Sequence, residues 1–276
     1  SAFRVSCLPQ GPWFRHLQRC GQPPVGRRHG LCDHLQLPIS FRGPAHLAAR
    51  LGNQEEDSAA APVPDRQAAW DPSVLIEYSL TRPDNDELAL DEIALKSWSL
   101  WGVATWPRPS DGSKLVRSTL RRDPQSGKLV FQYFGTKELR LPVFTAPLSI
   151  PPDVQKKICA VAAVETYLSR TSGPAFHHGD RVWCSLKPSK KDGIYRAVGA
   201  ETLSRWMRTV MDICGVPKHF KGGSIRMAAA SKALDDGCDP RFVLMMGRWR
   251  SWHVLDAFYN RSGCRVDPKP TRQASQ

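Results

Sequence analysis

Long apolar runs are absent from this 276-residue sequence, because no stretch approaches the roughly 20 residues that span a bilayer. The first residues also lack the basic-then-apolar order of a secretory signal. The eight cysteines are scattered singly, without the C-x-x-C pairs that are typical of a structural zinc site, and reduced thiols are the simplest interpretation. We therefore expect a soluble, intracellular protein.

Acidic residues are few compared with basic ones. The chain has 39 Lys and Arg against 26 Asp and Glu, a formal net charge of +13, so its folded surface would attract a polyanion, most commonly nucleic acid. Charge by itself identifies no function, because many basic proteins bind nucleic acid only weakly. The hydrophobic content of 41% is enough for a core, in one large domain or two small ones.

The N-terminal fifth of the chain lacks a folding pattern. Pro, Gly and Arg interrupt the periodicity of residues 1–58 everywhere except in a short stretch near Ala45 to Leu51, and we expect an irregular basic segment there. Several residues there are potential metal ligands, but their spacings match no known finger: Cys7, His16, Cys20, His29, Cys32 and His34. Residues 59–69 are typical of a linker. We expect the folded domain at 70–262 and a polar C-terminal tail at 263–276.

From Trp70 onwards, regular apolar spacing predicts helices, a small sheet, and then more helices. The sheet is predicted as an antiparallel meander of three strands, at 118–122, 128–134 and 139–145. Helices are predicted at 74–80, 90–105, 153–170, 201–214, 224–236, 240–246 and 252–259, with Asp71, Asp239 and Ser251 as N-caps and Gly237 as a C-terminal stop. The expected fold class is α+β, mainly α-helical with a small three-stranded antiparallel β-sheet.

Five short motifs lie in a fixed order along this domain: Arg108-Pro109-Ser110-Asp111, Gly135-Thr136-Lys137-Glu138, Ser224-Ile225-Arg226, Gly247-Arg248-Trp249 and Phe258-Tyr259. In order and spacing they resemble the signature of the tyrosine recombinase family, also called the phage-integrase family, and the resemblance extends from about Trp70 to Ser262. Within that family the sequence looks most like the recombinases of DIRS-like retrotransposons and Cryptons. The stretch from Ser224 to Ser231, SIRMAAAS, carries much of this likeness.

The resemblance implies the catalytic-domain fold of these enzymes and the cleavage and rejoining of double-stranded DNA through a 3′-phosphotyrosine. It implies five catalytic residues and one supporting residue: Arg108 and Arg226 as the two arginines, Lys137 as the hairpin lysine, Trp249 at the His/Trp position, Tyr259 as the nucleophile, and Asp111 as the acidic partner of the first arginine. It implies no cofactor or metal, and it implies a nuclear location.

These residue types suit such chemistry. Guanidinium groups hold the nonbridging oxygens of a phosphodiester bidentately, and their positive charge favours the phenolate of a tyrosine whose reference pKa is about 10. An ammonium group whose pKa is lowered can protonate the departing 5′ oxygen. Taken singly, the same residues have ordinary interpretations: Arg108 with Asp111 as a surface ion pair, Lys137 as a solvated turn residue, and Trp249 and Tyr259 as core aromatics.

Two departures from the family pattern stand out. Gly223 occupies the position where the family has the histidine of His-x-x-Arg, and neither His219 nor His253 lies at the matching position. Residues 1–58 do not resemble the helical core-binding domain that usually precedes the catalytic one. Both departures leave open the alternative of a catalytically impaired, DNA-binding remnant.

Further DNA contacts are predicted in a basic loop made of Lys187, Lys190, Lys191 and Arg196, for which a solvated loop is the simpler interpretation. Family members usually act as tetramers on paired sites, which implies a homo-oligomer, although residues 261–276 are short and polar for such assembly. A type IB topoisomerase shares the tyrosine chemistry, but this chain is short for one. A basic RNA-binding module lacks support, because neither an RNP-like aromatic strand nor a Gly-x-x-Gly loop is present.

Overall fold

The computed structural model describes residues 68–261 and the backbone of residues 265–266. The predicted irregular segment with its Cys and His residues lies outside the described residues, as do most of the predicted linker and tail. Those assignments, and the domain boundaries, stay predictions. Two residues of the predicted tail, Arg265–Val266, form a strand that pairs in parallel with Ala69–Trp70.

The described part of the chain is mainly helical, as predicted. Its eight α-helices are α1 (Ser73–Thr81), α2 (Leu90–Thr105), α3 (Pro109–Gly112), α4 (Ala160–Arg170), α5 (Ala200–Ile213), α6 (Ile225–Asp235), α7 (Pro240–Gly247) and α8 (Trp252–Phe258). Its strands are β1 (Ala69–Trp70), β2 (Arg121–Arg122), β3 (Leu129–Phe131), β4 (Leu148–Ile150), β5 (Phe176–His177), β6 (Tyr195–Arg196) and β7 (Arg265–Val266). Short 3₁₀ turns occupy Arg117–Thr119, Lys137–Leu139, Lys156–Ile158 and Gly222–Ser224.

The three-stranded antiparallel sheet is confirmed, in the order β2-β3-β4, but its third strand is not the predicted one. The predicted strand at 139–145 was wrong, because Arg140 has a left-handed backbone with φ 57° and Pro142 follows it. Instead, β4 pairs with β3 and buries Leu148 and Ile150. The first strand is also shorter than predicted, because Arg117–Thr119 forms a 3₁₀ turn.

The helix predicted at 153–170 begins later, at Ala160. Cys159 caps it, since its Sγ accepts a hydrogen bond from the backbone N–H of Ala162 at 3.3 Å. The predicted caps Asp239 and Ser251 are confirmed, because their side chains accept backbone N–H groups of α7 and α8. Side-chain caps therefore mark the starts of α4, α7 and α8.

Helix α2 lies at the centre of the core, where it packs against α4, α5 and α6. Its tryptophans are fully buried and each donates a hydrogen bond to a separate element: Trp98 to the carbonyl of Leu203 at 2.8 Å, and Trp101 to the hydroxyl of Tyr133 at 3.2 Å. These bonds tie α2 to α5 and to the sheet region. Among the described residues, no helix is both long and apolar enough to cross a membrane.

Candidate active site

The side chain of Arg226 lies between the C-terminal ends of two helices. It belongs to the first turn of α6 and is 2% exposed. Its Nη1 donates to the carbonyl of Trp106, which ends α2, and its Nη2 donates to the carbonyl of Gly247, the last residue of α7. The C-terminal carbonyls of a helix carry partial negative charge, which stabilises a buried guanidinium. The fold thus fixes this arginine from two sides.

Two aromatic rings cover the Arg226 guanidinium. Its central carbon lies 3.9 Å from the ring centre of Trp249 and 5.2 Å from that of Tyr259. The two rings contact each other edge to face, with centres 5.0 Å apart. Trp249 is 7% exposed, and its indole N–H has no hydrogen-bond partner among the described residues. Three predicted site residues from three different segments therefore meet.

The main chain around Tyr259 is anchored to helix α6. The hydroxyl of Ser231, which is fully buried, donates to the carbonyl of Tyr259 at 2.9 Å and accepts the backbone N–H of Arg261 at 2.8 Å. Ser231 lies on the helix that carries Arg226. One helix thus positions both the guanidinium and the backbone of the tyrosine.

Asp111 connects two further arginines. It is 1% exposed, its Oδ2 lies 2.6 Å from Nη2 of Arg248, and the same oxygen lies 3.5 Å from Nη1 of Arg108. It also accepts the backbone N–H of Arg108 at 3.2 Å, which caps the short helix α3. The guanidinium of Arg248 stacks on Tyr133, 4.4 Å from the ring centre. We call Arg108, Arg226 and Arg248 the arginine cluster.

Glu138 forms an ion pair with Arg108. Its second carboxylate oxygen is buried and has no hydrogen-bond partner among the described residues. Its neighbour Lys137 is exposed in the 3₁₀ turn, where its ammonium makes neither a hydrogen bond nor an ion pair within the described structure. The turn thus brings a carboxylate to the cluster, whereas no contact among the described residues joins the predicted lysine to it.

The electrostatics show that these groups lie close together. Burial lowers the pKa of Arg226 from its usual value, and the positive charges of Arg108 and Arg248 lower it further, whereas the Tyr259 oxygen and Asp111 act in the opposite direction. Burial also lowers the pKa of Arg108, but the hydrogen bond that Arg108 donates to Glu138 and the charges of Asp111, Glu138 and Tyr259 outweigh it, so this pKa is raised. The phenol oxygen of Tyr259 therefore lies within electrostatic range of two arginines.

Gly223, at the position of the missing histidine, lies in the 3₁₀ turn that precedes α6. A Cβ atom there would lie 3.7 Å from Cδ of Pro109, which is ordinary van der Waals contact. The backbone at Gly223 therefore faces the residue that follows Arg108, and a side chain at this position has room at its first carbon.

The predicted basic loop lies between β5 and β6, and its Arg196 is the last residue of β6. Lys187, Lys190, Lys191 and Arg196 are all exposed. Arg196 forms a bidentate ion pair with Asp192, at 3.2 and 2.5 Å, so part of the charge of the loop is balanced locally. Across residues 68–261, no group of three His, Cys, Asp or Glu residues is placed to hold a metal ion.

Sequence reasoning assigned no role to Glu138, Arg248 or Ser231, although all three lie within the quoted motifs. The available signal was position: Glu138 directly follows Lys137, and Arg248 directly precedes Trp249. Their partners lie 28 to 137 residues away along the chain, and the spacing of the motifs does not reveal such contacts.

Known proteins resemble this chain in structure rather than in sequence. No family model and no curated protein matches it. Two solved structures of the XerH site-specific recombinase bound to its difH substrate, one post-cleavage and one pre-cleavage, share 11% and 10% identity with TM-scores of 0.52 and 0.51. They cover 69% and 75% of this chain, which in turn spans 49% and 55% of theirs. The XerA recombinase matches at 15% identity and a TM-score of 0.49, over 71% of this chain and 61% of its own.

At such low identity these likenesses concern the fold. The chain spans less than two thirds of the length of each of these recombinases. Its helices and its small antiparallel sheet nevertheless follow the same arrangement. The chain therefore has the fold of a tyrosine recombinase catalytic domain.

Proposed function

We propose that this protein is a site-specific DNA recombinase or integrase, which cleaves and rejoins double-stranded DNA through a 3′-phosphotyrosine on Tyr259. The observation that carries the proposal is the position of the Tyr259 ring, 5.2 Å from the buried guanidinium of Arg226 and within electrostatic range of Arg108. A phenol beside fixed cations is what a tyrosine nucleophile requires, because those cations stabilise its phenolate.

In the proposed reaction, the phenol oxygen of Tyr259 attacks the phosphorus. The bond between the phenol oxygen and phosphorus forms as the bond to the 5′ oxygen breaks, and the phenol proton passes to solvent. Arg108 and Arg226 stabilise the negative charge on the nonbridging oxygens, and Trp249 contributes its indole N–H, which no described residue accepts. The ammonium of Lys137 gives its proton to the 5′ oxygen, and attack by a 5′ hydroxyl reverses the sequence and rejoins the strand.

Several finer assignments belong to the same proposal. A DNA substrate is supported by the net charge of +13 and by the fold shared with the XerH site-specific recombinase, whose structures hold its difH substrate. A mobile-element origin is supported by the motif from Ser224 to Ser231, with nuclear localisation and a tetramer on paired sites following from that likeness. The basic loop at Lys187, Lys190 and Lys191 would contact phosphates along the flanking duplex.

A second candidate function is a DNA-binding remnant without catalysis. Two observations favour it: Gly223 provides no side chain at the histidine position, and Glu138 already neutralises Arg108. Such a protein would bind DNA with strong salt dependence and form no covalent product.

The two candidates are separated by adduct formation on a suicide substrate. The full chain is incubated with nicked duplexes of randomised sequence, in which the cleaved 5′ fragment diffuses away and traps any phosphotyrosine. We expect a denaturant-resistant protein–DNA adduct that disappears in Tyr259→Phe. Tyr195→Phe is the matched control, since Tyr195 stacks on Phe176 in another region of the fold.

Binding without an adduct supports the remnant. An adduct that persists in Tyr259→Phe removes this tyrosine as the nucleophile.

A further inference from the structure

Arg248 has an unusual position for an arginine. It directly follows α7, its backbone is left-handed with φ 56°, and its side chain is only 9% exposed. The left-handed conformation costs a non-glycine residue about 1 kcal/mol or more, and burying a guanidinium costs further energy. The surrounding structure has to compensate both costs.

The described residues provide hydrogen-bond partners for only part of the Arg248 guanidinium. Nη2 donates to Asp111 at 2.6 Å, and the flat face stacks on Tyr133 at 4.4 Å. Nε and Nη1 are buried without a hydrogen-bond partner among the described residues. A role confined to structure accounts for the first two contacts and leaves the other two donors unexplained, since unpaired buried donors are costly.

Charge leads to the same conclusion. Arg248 lies near enough to Arg226 for its positive charge to lower the pKa of that residue. Two carboxylates, Asp111 and Glu138, face the three guanidinium groups of the arginine cluster. An anion bound between the arginines would reduce their mutual repulsion and pair the unused N–H groups of Arg248.

The site also lacks a donor that the sequence resemblance leads one to expect. Gly223 has no side chain, and the two nearest histidines in sequence, His219 and His253, are exposed. If a third side chain joins Arg108 and Arg226 around the phosphate, it therefore has to come from a position other than 223.

We propose that Arg248 is a third phosphate-binding arginine, whose Nε and Nη1 hold a nonbridging oxygen of the phosphodiester that Tyr259 attacks. This inference rests on the proposed function and adds to it a catalytic residue that replaces the absent histidine. Asp111 is then a positioning residue, because it orients Arg248 through Nη2 while capping the turn that carries Arg108.

The first test uses the charge of the substrate. A nicked duplex that forms an adduct with the unmodified chain is prepared in two versions. One has a phosphodiester at the cleaved position, and the other has a neutral methylphosphonate there. Arg248→Met should slow adduct formation about 100-fold on the phosphodiester and less than about 10-fold on the methylphosphonate, since the charge that the arginine balances is gone. Arg248→Lys should recover part of the rate on the phosphodiester.

Arg208→Met is the matched control. Arg208 is also partly buried and donates to backbone carbonyls of Val216, Pro217 and Phe220. It should lose similar amounts of rate on the two substrates through stability alone. Equal losses for Arg248→Met on both substrates would overturn the proposal. Because Arg248→Met removes the shortest ion pair of the buried Asp111 carboxylate, the double variant Asp111→Asn with Arg248→Met serves as a second form if the single variant does not fold.

A binding measurement separates this inference from the proposed function. In the Tyr259→Phe background, Arg248→Met should reduce the slope of log affinity against log salt for a short random-sequence duplex by about 0.9, the value for one lost phosphate contact. If the unmodified chain forms no adduct but the slope falls, phosphate binding by Arg248 stands and the recombinase proposal fails. If the slope is unchanged, Arg248 contacts no phosphate, whatever the chain catalyses.

Discussion

Lys96 offers a quantitative test of the core packing around α2. Its side chain lies in the middle of that helix, the residue is 4% exposed, and its ammonium has no hydrogen-bond partner among the described residues. Burial lowers its pKa to about 8, with a further contribution from Lys157, against an ordinary value of 10.5. Each pKa unit corresponds to about 1.4 kcal/mol, so keeping this lysine charged in the folded state costs roughly 3 kcal/mol.

The sign of the pH dependence follows from the two protonation states. Below pH 8 the lysine is charged in both the folded and the unfolded chain, and the full cost is present. Between pH 8 and 10.5 the unfolded chain binds a proton that the folded chain does not, so the free energy of unfolding rises with pH. Lys96→Met removes both the cost and this contribution to the pH dependence.

The assay is urea unfolding followed by tryptophan fluorescence. At neutral pH, Lys96→Met should be roughly 3 kcal/mol more stable than the unmodified chain, and the gap should shrink as pH rises toward about 10. Lys190→Met, in an exposed loop, is the control and should change little. A Lys96→Met variant that is less stable at neutral pH, or a gap that does not vary with pH, would refute the reasoning.

Two further predictions concern the site. Glu138→Gln removes the carboxylate that occupies Arg108 and should strengthen DNA binding about tenfold, measured by fluorescence anisotropy, whereas Glu165→Gln, which breaks a surface ion pair, should not. An unchanged or weaker affinity in Glu138→Gln would contradict this. Ser231→Ala leaves the Tyr259 carbonyl unpaired and should lower the free energy of unfolding by about 2 kcal/mol in urea titration, while the exposed Ser169→Ala should have almost no effect. Equal effects of the two serine variants would show that the Ser231 bonds are not significant.

The parts of the fold that the sequence predicted correctly depend on neighbouring residues. The helix boundaries at Asp239 and Ser251 depend on a side chain and on backbone two or three residues away, and both were predicted correctly. Gly237, with φ 81°, likewise ends α6 as expected. The strand predicted at 139–145 failed because its apolar residues suggested burial, whereas Leu141 is 64% exposed and the neighbouring β4 residues enter the core instead.

In the candidate site, too, some features could be predicted from the sequence and others could not. The order of the motifs was enough to select Arg226, Trp249 and Tyr259, and the structure brings their side chains together. It was not enough to show that Glu138 binds Arg108, because that contact depends on how the 3₁₀ turn folds back onto α3. Pairings of this kind are set by tertiary packing, which a single sequence does not encode in its spacing.

The anchoring of Tyr259 to Ser231 has a consequence for any assembly of several copies. Helix α6 carries Arg226 and, through Ser231, holds the main chain at Tyr259, so the tyrosine is anchored beside the guanidinium of its own chain. Lending the phenol to a neighbouring copy would break the hydrogen bonds that Ser231 makes with the carbonyl of Tyr259 and the N–H of Arg261. If the proposed function holds, this anchoring favours cleavage of a DNA strand by the tyrosine of the same subunit whose arginines bind that strand.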